Sequence, residues 1–368
     1  LLIIYSFKKG VSPLISLGFL TVYEHQEHEY VTEIAKRAER YGIILYRFTP
    51  LSIDPLTEKV NGERFDSELQ SWVSCVFDIP SFLYDRCFYR SDTRSKQSKP
   101  IVQWLKNRPD ITFLGYGFPN KWEVYKTILK HSLLSSYIPN TVRLTSTDDL
   151  INMLRKEKNI ICKPENGSRG KGIYVIQQTK KHLEIKSANG ETTLHVHHKQ
   201  ALTTWMNSLV RSNPYICQPL LPLQTTDGKP YDLRFLFQKN ENGEWTERGR
   251  GVRIGKKGTF VANISAGATI FPFPEWMNQF SKQQNVLIND SIETILNALP
   301  RYLEQQFGPL FEFGLDIGIT GDGAVWILDI NSKPGRKIVM ETTPHEHETL
   351  YHAPLRYCQF LSKEVNVS

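Results

Sequence analysis

Near the end of the chain, two runs with strand alternation, Phe311–Ile319 (FEFGLDIGI) and Ala324–Asn331 (AVWILDIN), are joined by Thr-Gly-Asp-Gly. Alternation and the short turn predict an antiparallel hairpin. Asp316 sits on its first strand. Asp329 and Asn331 lie two apart on the second, so they share a face. A single buried carboxylate in a strand can be a structural hydrogen-bonding group. Two carboxylates and an amide converging from one hairpin, with Ser-Lys-Pro-Gly directly after, fit a Mg²⁺ (or Mn²⁺) site better. Phosphate oxygens and water would fill its other positions. Buried carboxylates are costly unless they meet a cation.

A phosphate-facing partner for such a site lies earlier. Ile160–Ile176 reads IICKPENGSRGKGIYVI: an apolar run ending in Lys163 and Pro164, a loop containing Gly167, Gly170 and Gly172, and a second apolar run. Strand, glycine-rich loop, strand is the simplest reading. Small residues let backbone N–H groups approach a phosphate, and Arg169 and Lys171 add positive charge. A P-loop is excluded, because no Gly-Lys-Ser/Thr opens a helix. Taken alone, the loop reads better as a basic hairpin turn. Asp232 and Arg234 sit two apart on a further strand within Asp227–Phe237. Lys121 begins a helix capped by Asn120, and Lys126 follows one turn later; most helical lysines are merely solvated. Tyr84, Asp85 and Arg86 end a strand, where they could face a cleft or form a surface ion pair. In HVHH, His195 and His197 share a face, but no carboxylate or cysteine lies beside them, so solvated histidines are favoured.

The 368 residues suffice for two or three domains with a sizeable core. Hydrophobic content of 40% and charged content of 23% are ordinary for a globular protein. The formal charge of +7 suits anionic ligands such as nucleotides, and no long Lys/Arg block argues for specific nucleic-acid binding. Five scattered cysteines without a CxxC pair favour a reducing compartment and no zinc site. The apolar runs are too short to span a bilayer. The opening LLIIYSFKKG lacks the basic region of a signal peptide and reads as the trimmed edge of something longer.

The elements that must position these residues are legible in outline. Ser16–Tyr23 and Ile43–Pro50 read as strands around a helix at Glu29–Arg40, a βαβ-type pattern for an α/β domain. Asn61-Gly62 predicts a hairpin turn within Lys59–Phe65. Cys75–Phe77 and Phe82–Asp85 are short extended pieces. The polar run Ser91–Pro100 predicts an exposed loop before a helix at Ile101–Lys106. Phe113–Tyr116 reads as a strand. Trp122, Tyr125, Leu129 and Leu133 fall on one helical face, and Asp148–Lys156 is a short amphipathic helix. A helix at Leu202–Arg211, a strand entering a Pro-rich turn at Tyr215–Leu223, and a long helix at Asn285–Gln306 follow. Arg248–Ala268 is rich in Arg and Gly, but interleaved Val252, Ile254, Phe260, Val261 and Ile264 predict strands and turns, not an RNA-binding tract.

The order of these parts, from Phe113 to Glu341, resembles the ATP-grasp superfamily. More narrowly, the phrases FLYDR, NKWEVYKTIL, YIPNTVRL, CKPENGSRGKGIYVI, YDLRFLFQ, VANISAGA and LDINSKPGR resemble the YheC/YheD family of endospore coat-associated proteins. The resemblance implies an α/β (α+β ATP-grasp) fold. Residues 1–112 would form a pre-ATP-grasp α/β domain, 113–214 a small lobe with the glycine-rich loop, and 215–368 a C-terminal lobe with the metal site. It implies that Lys121, with Lys126 as its rival, is the first nucleotide-contacting lysine and Lys163 the second. Asn166, Gly167, Ser168, Gly170, Lys171 and Gly172 would close over the β/γ-phosphates. Gln218, where many relatives carry Glu, would lie along the adenine with Pro219 and Leu221. Asp232 would contact ribose. Arg234, Arg253 and Asn263 would face the triphosphate and any acyl-phosphate. Asp316, Asp329 (more often Glu in relatives) and Asn331 would hold the metal.

The implied activity is a Mg-dependent carboxylate–amine ligase working through an acyl-phosphate, its carboxylate and amine substrates unspecified. No nucleophilic side chain is required, and no Ser-His-Asp or Cys-His signature asks for another explanation. The alternatives are a non-catalytic nucleotide-binding protein of the spore coat, a kinase on this fold, and, as an outsider, a basic RNA-binding protein. The resemblance implies a cytoplasmic location or association with the spore coat and its proteins.

Overall fold

Three β-sheets, laid out one after another along the chain, carry the site. The structure is a computed structural model; it describes residues 14–167, 170–191, 193–264 and 267–367, so the opening decapeptide lies outside the described residues. The first sheet uses β1 (Ile15–Leu20), β2 (Ile43–Phe48), β3 (Lys59–Asp66), β4 (Ser71–Asp78), β5 (Phe82–Asp85) and β6 (Thr112–Phe113), in the order β4-β3-β2-β1-β5-β6. Its β2, β1, β5 and β6 are parallel, and β3 and β4 add an antiparallel edge. Helices α1 (His28–Ala38) and α2 (Thr93–Lys106) provide crossovers.

The second sheet contains β7 (Val142–Leu144), β8 (Asn159–Pro164), β9 (Tyr174–Gln178), β10 (Leu183–Ser187), β11 (Thr193–Val196) and β12 (Tyr215–Pro219), in the order β11-β10-β9-β8-β12-β7. Helix α3 (Lys121–Ile128) precedes it, and α4 (Thr147–Glu157) and α5 (Lys199–Ser212) lie within its sequence. The expected division after residue 214 separates β12 from the strands it pairs with; sheet membership favours a division after Pro219.

The third sheet is antiparallel: β13 (Tyr231–Lys239), β14 (Trp245–Ile254), β15 (Thr269–Phe271), β16 (Glu312–Ile319) and β17 (Val325–Asn331), in the order β15-β14-β13-β16-β17. After the short α6 (Phe273–Trp276), the long α7 (Lys282–Phe307) covers one face of this sheet. Ile288, Ile292, Ile295, Leu299 and Leu303 recur at helical spacing, and all are fully buried in one core with Phe313, Leu315 and Ile317. Burying each such side chain stabilises by about 1.5–3 kcal/mol. The other face is left for chemistry. The chain closes with α8 (Lys337–Thr342) and α9 (His347–Val367), and α9 returns to pack on α1 and the first sheet. Among the described residues no helix is long and apolar enough to cross a membrane.

Local expectations fail where tertiary contacts override them. Asn61-Gly62 is no turn: β3 runs straight through it, and the hairpin turns at residues 67–70. Gly62 is there for space, since a Cβ would stand 2.8 Å from the Arg47 carbonyl oxygen and 3.0 Å from both Phe48 and Phe77. The polar run before Ile101 is helical, because Asp92 caps α2 by accepting from the Ser95 N–H at 2.8 Å. Helix α3 stops at Ile128 and buries Val124, Tyr125 and Ile128, leaving Leu129 and Leu133 exposed. The His131 Nδ1 accepts the next amides, Leu133 N–H and Leu134 N–H, and so starts a tighter turn. Strand β6 has only two residues, and Phe260, Val261 and Ile264 lie in the connection between β14 and β15 rather than on strands.

Candidate active site

The hairpin register puts Asp316 directly opposite Asp329 and Gly314 opposite Asn331. Next door, Arg234 on β13 faces Asp316, and Asp232 faces Arg253 on β14. One face of the third sheet therefore carries a row across four strands: Arg253, then Asp232 and Arg234, then Asp316, then Asp329 and Asn331. Gly314 allows the row to close, because a Cβ there would stand 2.9 Å from Arg234 Nη1 and 3.0 Å from Asn331 Nδ2.

The charges in this row neutralise one another. Arg234 donates to both Asp316 oxygens, Nη2 at 2.8 Å from Oδ2. Arg253 donates to both Asp232 oxygens, at 2.5 and 2.7 Å, and reaches Asp316 at 2.9 Å. Burial pushes the Asp316 carboxyl up, but the two guanidinium groups outweigh it and hold the group ionised. Burial lifts Asp232 above the usual carboxylate range, with Arg253 opposing.

A register shift between Asp316 and Ile317 leaves Leu328 as an extra residue on β17. Such a bulge frees a backbone group from the ladder. Here the Leu328 carbonyl accepts from Tyr125 Oη at 2.5 Å and from Lys163 Nζ at 3.1 Å. The bulge thus ties the third sheet to α3 and to the second sheet at the point where both supply a lysine.

Lys163, next to last in β8, also donates to Gln218 Oε1 at 2.9 Å. The other end of that amide, Gln218 Nε2, donates to Thr141 Oγ1 at 2.8 Å. Gln218 is buried and holds the ammonium of Lys163 in place, a positioning job its sequence context did not announce. Burial lowers the Lys163 pKa to about 8, with Asp329 opposing. Lys121 opens α3, whose cap Asn120 accepts from the Glu123 N–H at 2.9 Å. The Lys121 N–H donates to the Glu165 carbonyl at 3.1 Å, which pins the helix start beside the end of β8. The Lys121 ammonium is ion-paired with Asp329. Lys126 points elsewhere, to Glu123 on the surface at 2.8 Å.

A cavity of about 1940 Å³ lies between these walls. Apart from the rival Lys126, the site residues anticipated from sequence that the structure describes line it: Lys121, Lys163, Gln218, Pro219 and Leu221; Asn166, Gly167, Gly170, Lys171 and Gly172 of the loop; and Asp232, Arg234, Arg253, Asn263, Asp316, Asp329 and Asn331. Ser168 and Arg169 lie outside the described residues. Gly170 and Gly172 adopt φ of +71° and +72°, which favours glycine. A Cβ on Gly170 would stand 3.3 Å from Asn263 Nδ2, so the glycine-rich loop reaches across to the β14–β15 connection.

At the end of β5, where a cleft and a surface ion pair were both open, the structure separates Asp85 from Arg86. Asp85 is not at the surface: it is buried, lines the cavity, and accepts from Lys333 at 2.6 Å, with Lys106 at 3.2 Å. Burial pushes its carboxyl up, but the two lysines outweigh that and hold it well below the usual range. Arg86 is fully buried and faces away from the cavity, donating to Glu27, Glu312 and the Pro334 carbonyl. The signal was present in the FLYDR and SKPGR phrases, but their meeting is tertiary. Likewise Cys162 and Cys217 are far apart in sequence yet face one another across β8 and β12, Sγ to Sγ 3.3 Å, both buried.

Could the hairpin hold a metal? Two carboxylates and one amide, clustered on one face, are an all-oxygen donor set suited to Mg²⁺ or Mn²⁺. Lys121 pairs with Asp329, and Arg234 and Arg253 pair with Asp316, so both carboxylates meet cations here.

A glycine-rich loop and two lysines stand opposite a sheet face with carboxylates and arginines, the arrangement that the resemblance to ATP-grasp proteins implies. The chain belongs to the YheC/D like ATP-grasp family, which matches residues 110–361. It is 38% identical over 353 residues to the endospore coat-associated protein YheC of Bacillus subtilis (strain 168), covering 95% of this chain and 97% of that one. The solved structure of the D-cycloserine synthetase DcsG superimposes with a TM-score of 0.55 at 10% identity, covering 95% of this chain and 99% of that chain. An ADP complex of purK, N5-carboxyaminoimidazole ribonucleotide synthetase, gives 0.52 at 12% identity, covering 88% and 72%. At such identities these structures speak to the fold.

Proposed function

We propose that the protein is an ATP-dependent carboxylate–amine ligase associated with the endospore coat or with spore formation. The observation that carries this reading is the row Arg253, Asp232, Arg234, Asp316, Asp329 and Asn331, facing Lys121 and Lys163 across one cavity. Its charges are satisfied mainly by each other, so an incoming polyphosphate can exchange partners with them. That purK was solved with ADP, and that DcsG is a synthetase, supports nucleotide binding and ligation on this fold.

In this reading the triphosphate takes Lys121, Lys163 and Lys171, with the glycine-rich loop over its β/γ end. Pro219 and Leu221 flank adenine, and Asp232 meets the ribose. Arrival of phosphate draws Lys121 off Asp329 and the guanidinium groups toward the γ-phosphate, which frees the Asp316 and Asp329 carboxylates; with Asn331 beside them, these residues would hold Mg²⁺. When bound, the ion supplies neutralisation of phosphate charge. A substrate carboxylate oxygen then forms a bond to the γ-phosphorus as the bond to the ADP oxygen breaks, giving an acyl-phosphate. An amine attacks the acyl carbon, phosphate leaves, and the amine loses a proton. Arg234 and Arg253 would stabilise the developing charge, with Asn263 beside them; positioning and electrostatics supply most of the rate in such chemistry.

A second reading, a nucleotide-binding coat protein without turnover, draws support from its similarity to YheC, an endospore coat-associated protein. The two diverge in a screen of the purified protein with Mg·ATP against amino acids, short peptides and spore-wall precursors. Release of ADP and phosphate, with a product mass equal to two substrates minus water, establishes ligation. Tight nucleotide binding with no release from any substrate mixture favours the second reading.

A further inference from the structure

Away from the cavity, the hairpin of β10 and β11 gathers imidazoles and a carboxylate at one point. From sequence, HVHH reads as solvated histidines because no carboxylate lies beside it. The register supplies one: Glu184 on β10 pairs with His195 on β11. His182, the residue before β10, completes the group. Its Nε2 lies 3.0 Å from His195 Nδ1 and 3.5 Å from Glu184 Oε1. All three ligand atoms fall within 4.8 Å of one another. Around a tetrahedral ion with bonds of about 2.0–2.1 Å, neighbouring donors stand about 3.3 Å apart. Two of the separations already approach that value. The ring of His197 lies 5.1 Å from that of His182, which puts a third imidazole in reach as a fourth ligand.

The donors are also oriented from outside. Lys186 Nζ bonds Glu184 Oε2 at 2.8 Å, which leaves Oε1 as the oxygen aimed at His182. Lys186 is itself held by Gln177 Oε1 at 3.1 Å. The backbone of His182 is fixed by Thr179, whose Oγ1 accepts from its N–H at 3.0 Å and donates to its carbonyl at 2.7 Å. Partners that orient a ligand raise metal affinity. Imidazole donors select borderline ions such as Zn²⁺; Mg²⁺ takes oxygen.

We propose that His182, Glu184 and His195, with His197 in reach, form a binding site for a divalent transition metal, Zn²⁺ in the first instance. It is chemically distinct from the all-oxygen hairpin of Asp316, Asp329 and Asn331. A bound ion would clip the turn between β9 and β10 to β11, at the edge of the sheet that carries the glycine-rich loop.

The test uses the full chain without an affinity tag. Co²⁺ is titrated and followed by visible absorption, then displaced with Zn²⁺, and Zn²⁺ affinity is measured by competition with a chromophoric chelator. Without nucleotide, one equivalent should bind, unaffected by excess Mg²⁺. His195→Ala and the isosteric Glu184→Gln should each weaken Zn²⁺ by about tenfold or more, with circular dichroism confirming that both remain folded. His198→Ala, at the next histidine along, should bind as the wild type does. The site is overturned if no stoichiometric Co²⁺ or Zn²⁺ binds, if Mg²⁺ competes, if the two ligand variants bind like wild type, or if His198→Ala loses as much as they do.

Discussion

Arg86 and Arg253 are both buried guanidinium groups, each bonded to two carboxylates, yet they stand in opposite relations to the solvent. Arg86 is 0% exposed and lies where the first sheet meets the third. Its donors end on Glu27, Glu312 and the Pro334 carbonyl, and Glu312 is further held by Tyr84 Oη at 2.6 Å and Gln238 Nε2 at 3.0 Å. Arg336 bonds the same Glu27 at 2.7 Å and stacks over Tyr30. The Arg86, Glu27 and Glu312 charges there are paired within the protein. Arg253 bonds Asp232 and Asp316 with similar geometry, but all three line the cavity. Nearby, Lys121 leans on Asp329 and Lys163 on Gln218. The first network is architecture. The second is a set of charges paired with one another in a place a charged ligand can enter. Substitutions should therefore separate cleanly into effects on stability and effects on binding.

The largest effect belongs to the closed network. Arg86→Met leaves Glu312 and Glu27 short of a cation in the interior, and removing one partner of a buried ion pair destabilises by about 3–5 kcal/mol. Urea denaturation should show that loss, while ATP affinity at permissive temperature stays near wild type. A loss below about 1 kcal/mol would show that the junction does not depend on this residue.

In the open network, Lys163→Ala should leave folding stability intact, because burial already disfavours its charge. ATP affinity should fall by about tenfold or more, since a charge-assisted contact is worth about 1.5–3 kcal/mol. If stability falls as for Arg86→Met and affinity does not, the contrast is wrong.

The pH dependence of binding sharpens the same point. Lys163 has a pKa near 8 in the free protein, lowered by burial. A bound polyphosphate favours the ammonium and raises that pKa, so binding near pH 8 takes up about half a proton or less. ATP affinity should be fully expressed below about pH 8 and decline as pH rises through it. Calorimetry in buffers of different ionisation enthalpy would detect the uptake, and Lys163→Ala should abolish it.

The smallest effect is expected at Lys126. It pairs with Glu123 in solvent, and such pairs contribute about 0–1 kcal/mol. Lys126→Ala should match wild type in both stability and ATP affinity, whereas Lys121→Ala should weaken ATP. The reverse outcome would assign the helix-start role to Lys126.

These contrasts also mark what could be read from the chain. The hairpin bearing Asp316, Asp329 and Asn331 was legible because strand alternation and a short turn are local signals. The lysine strand and its glycine-rich loop were legible for the same reason, as was the cap at Asn120. Arg86 was not, because its partners Glu27 and Glu312 are remote in sequence and only the packing of α9 and the first sheet against the third brings them together. The meeting of Asp85 with Lys333, the Leu328 bulge and the Cys162–Cys217 contact depend on register and docking in the same way. Asn61-Gly62 misled because a glycine needed for close packing looks, locally, like a glycine needed for a turn. The polar start of α2 misled because its cap was hidden in a run that resembles a loop.

The central claim is that the hairpin carboxylates and the lysines opposite exchange partners when nucleotide and metal arrive together. The most direct measurement is calorimetric titration of ATP with Mg²⁺ and then with EDTA, for wild type and for Asp329→Asn. By linkage, metal must strengthen nucleotide binding by the factor with which nucleotide strengthens metal binding. Wild type should bind ATP far more tightly with Mg²⁺ than with EDTA, and Asp329→Asn should lose most of that difference while keeping its fold. Equal affinity of the wild type under both conditions would contradict the account and remove the hairpin as a nucleotide-linked metal site.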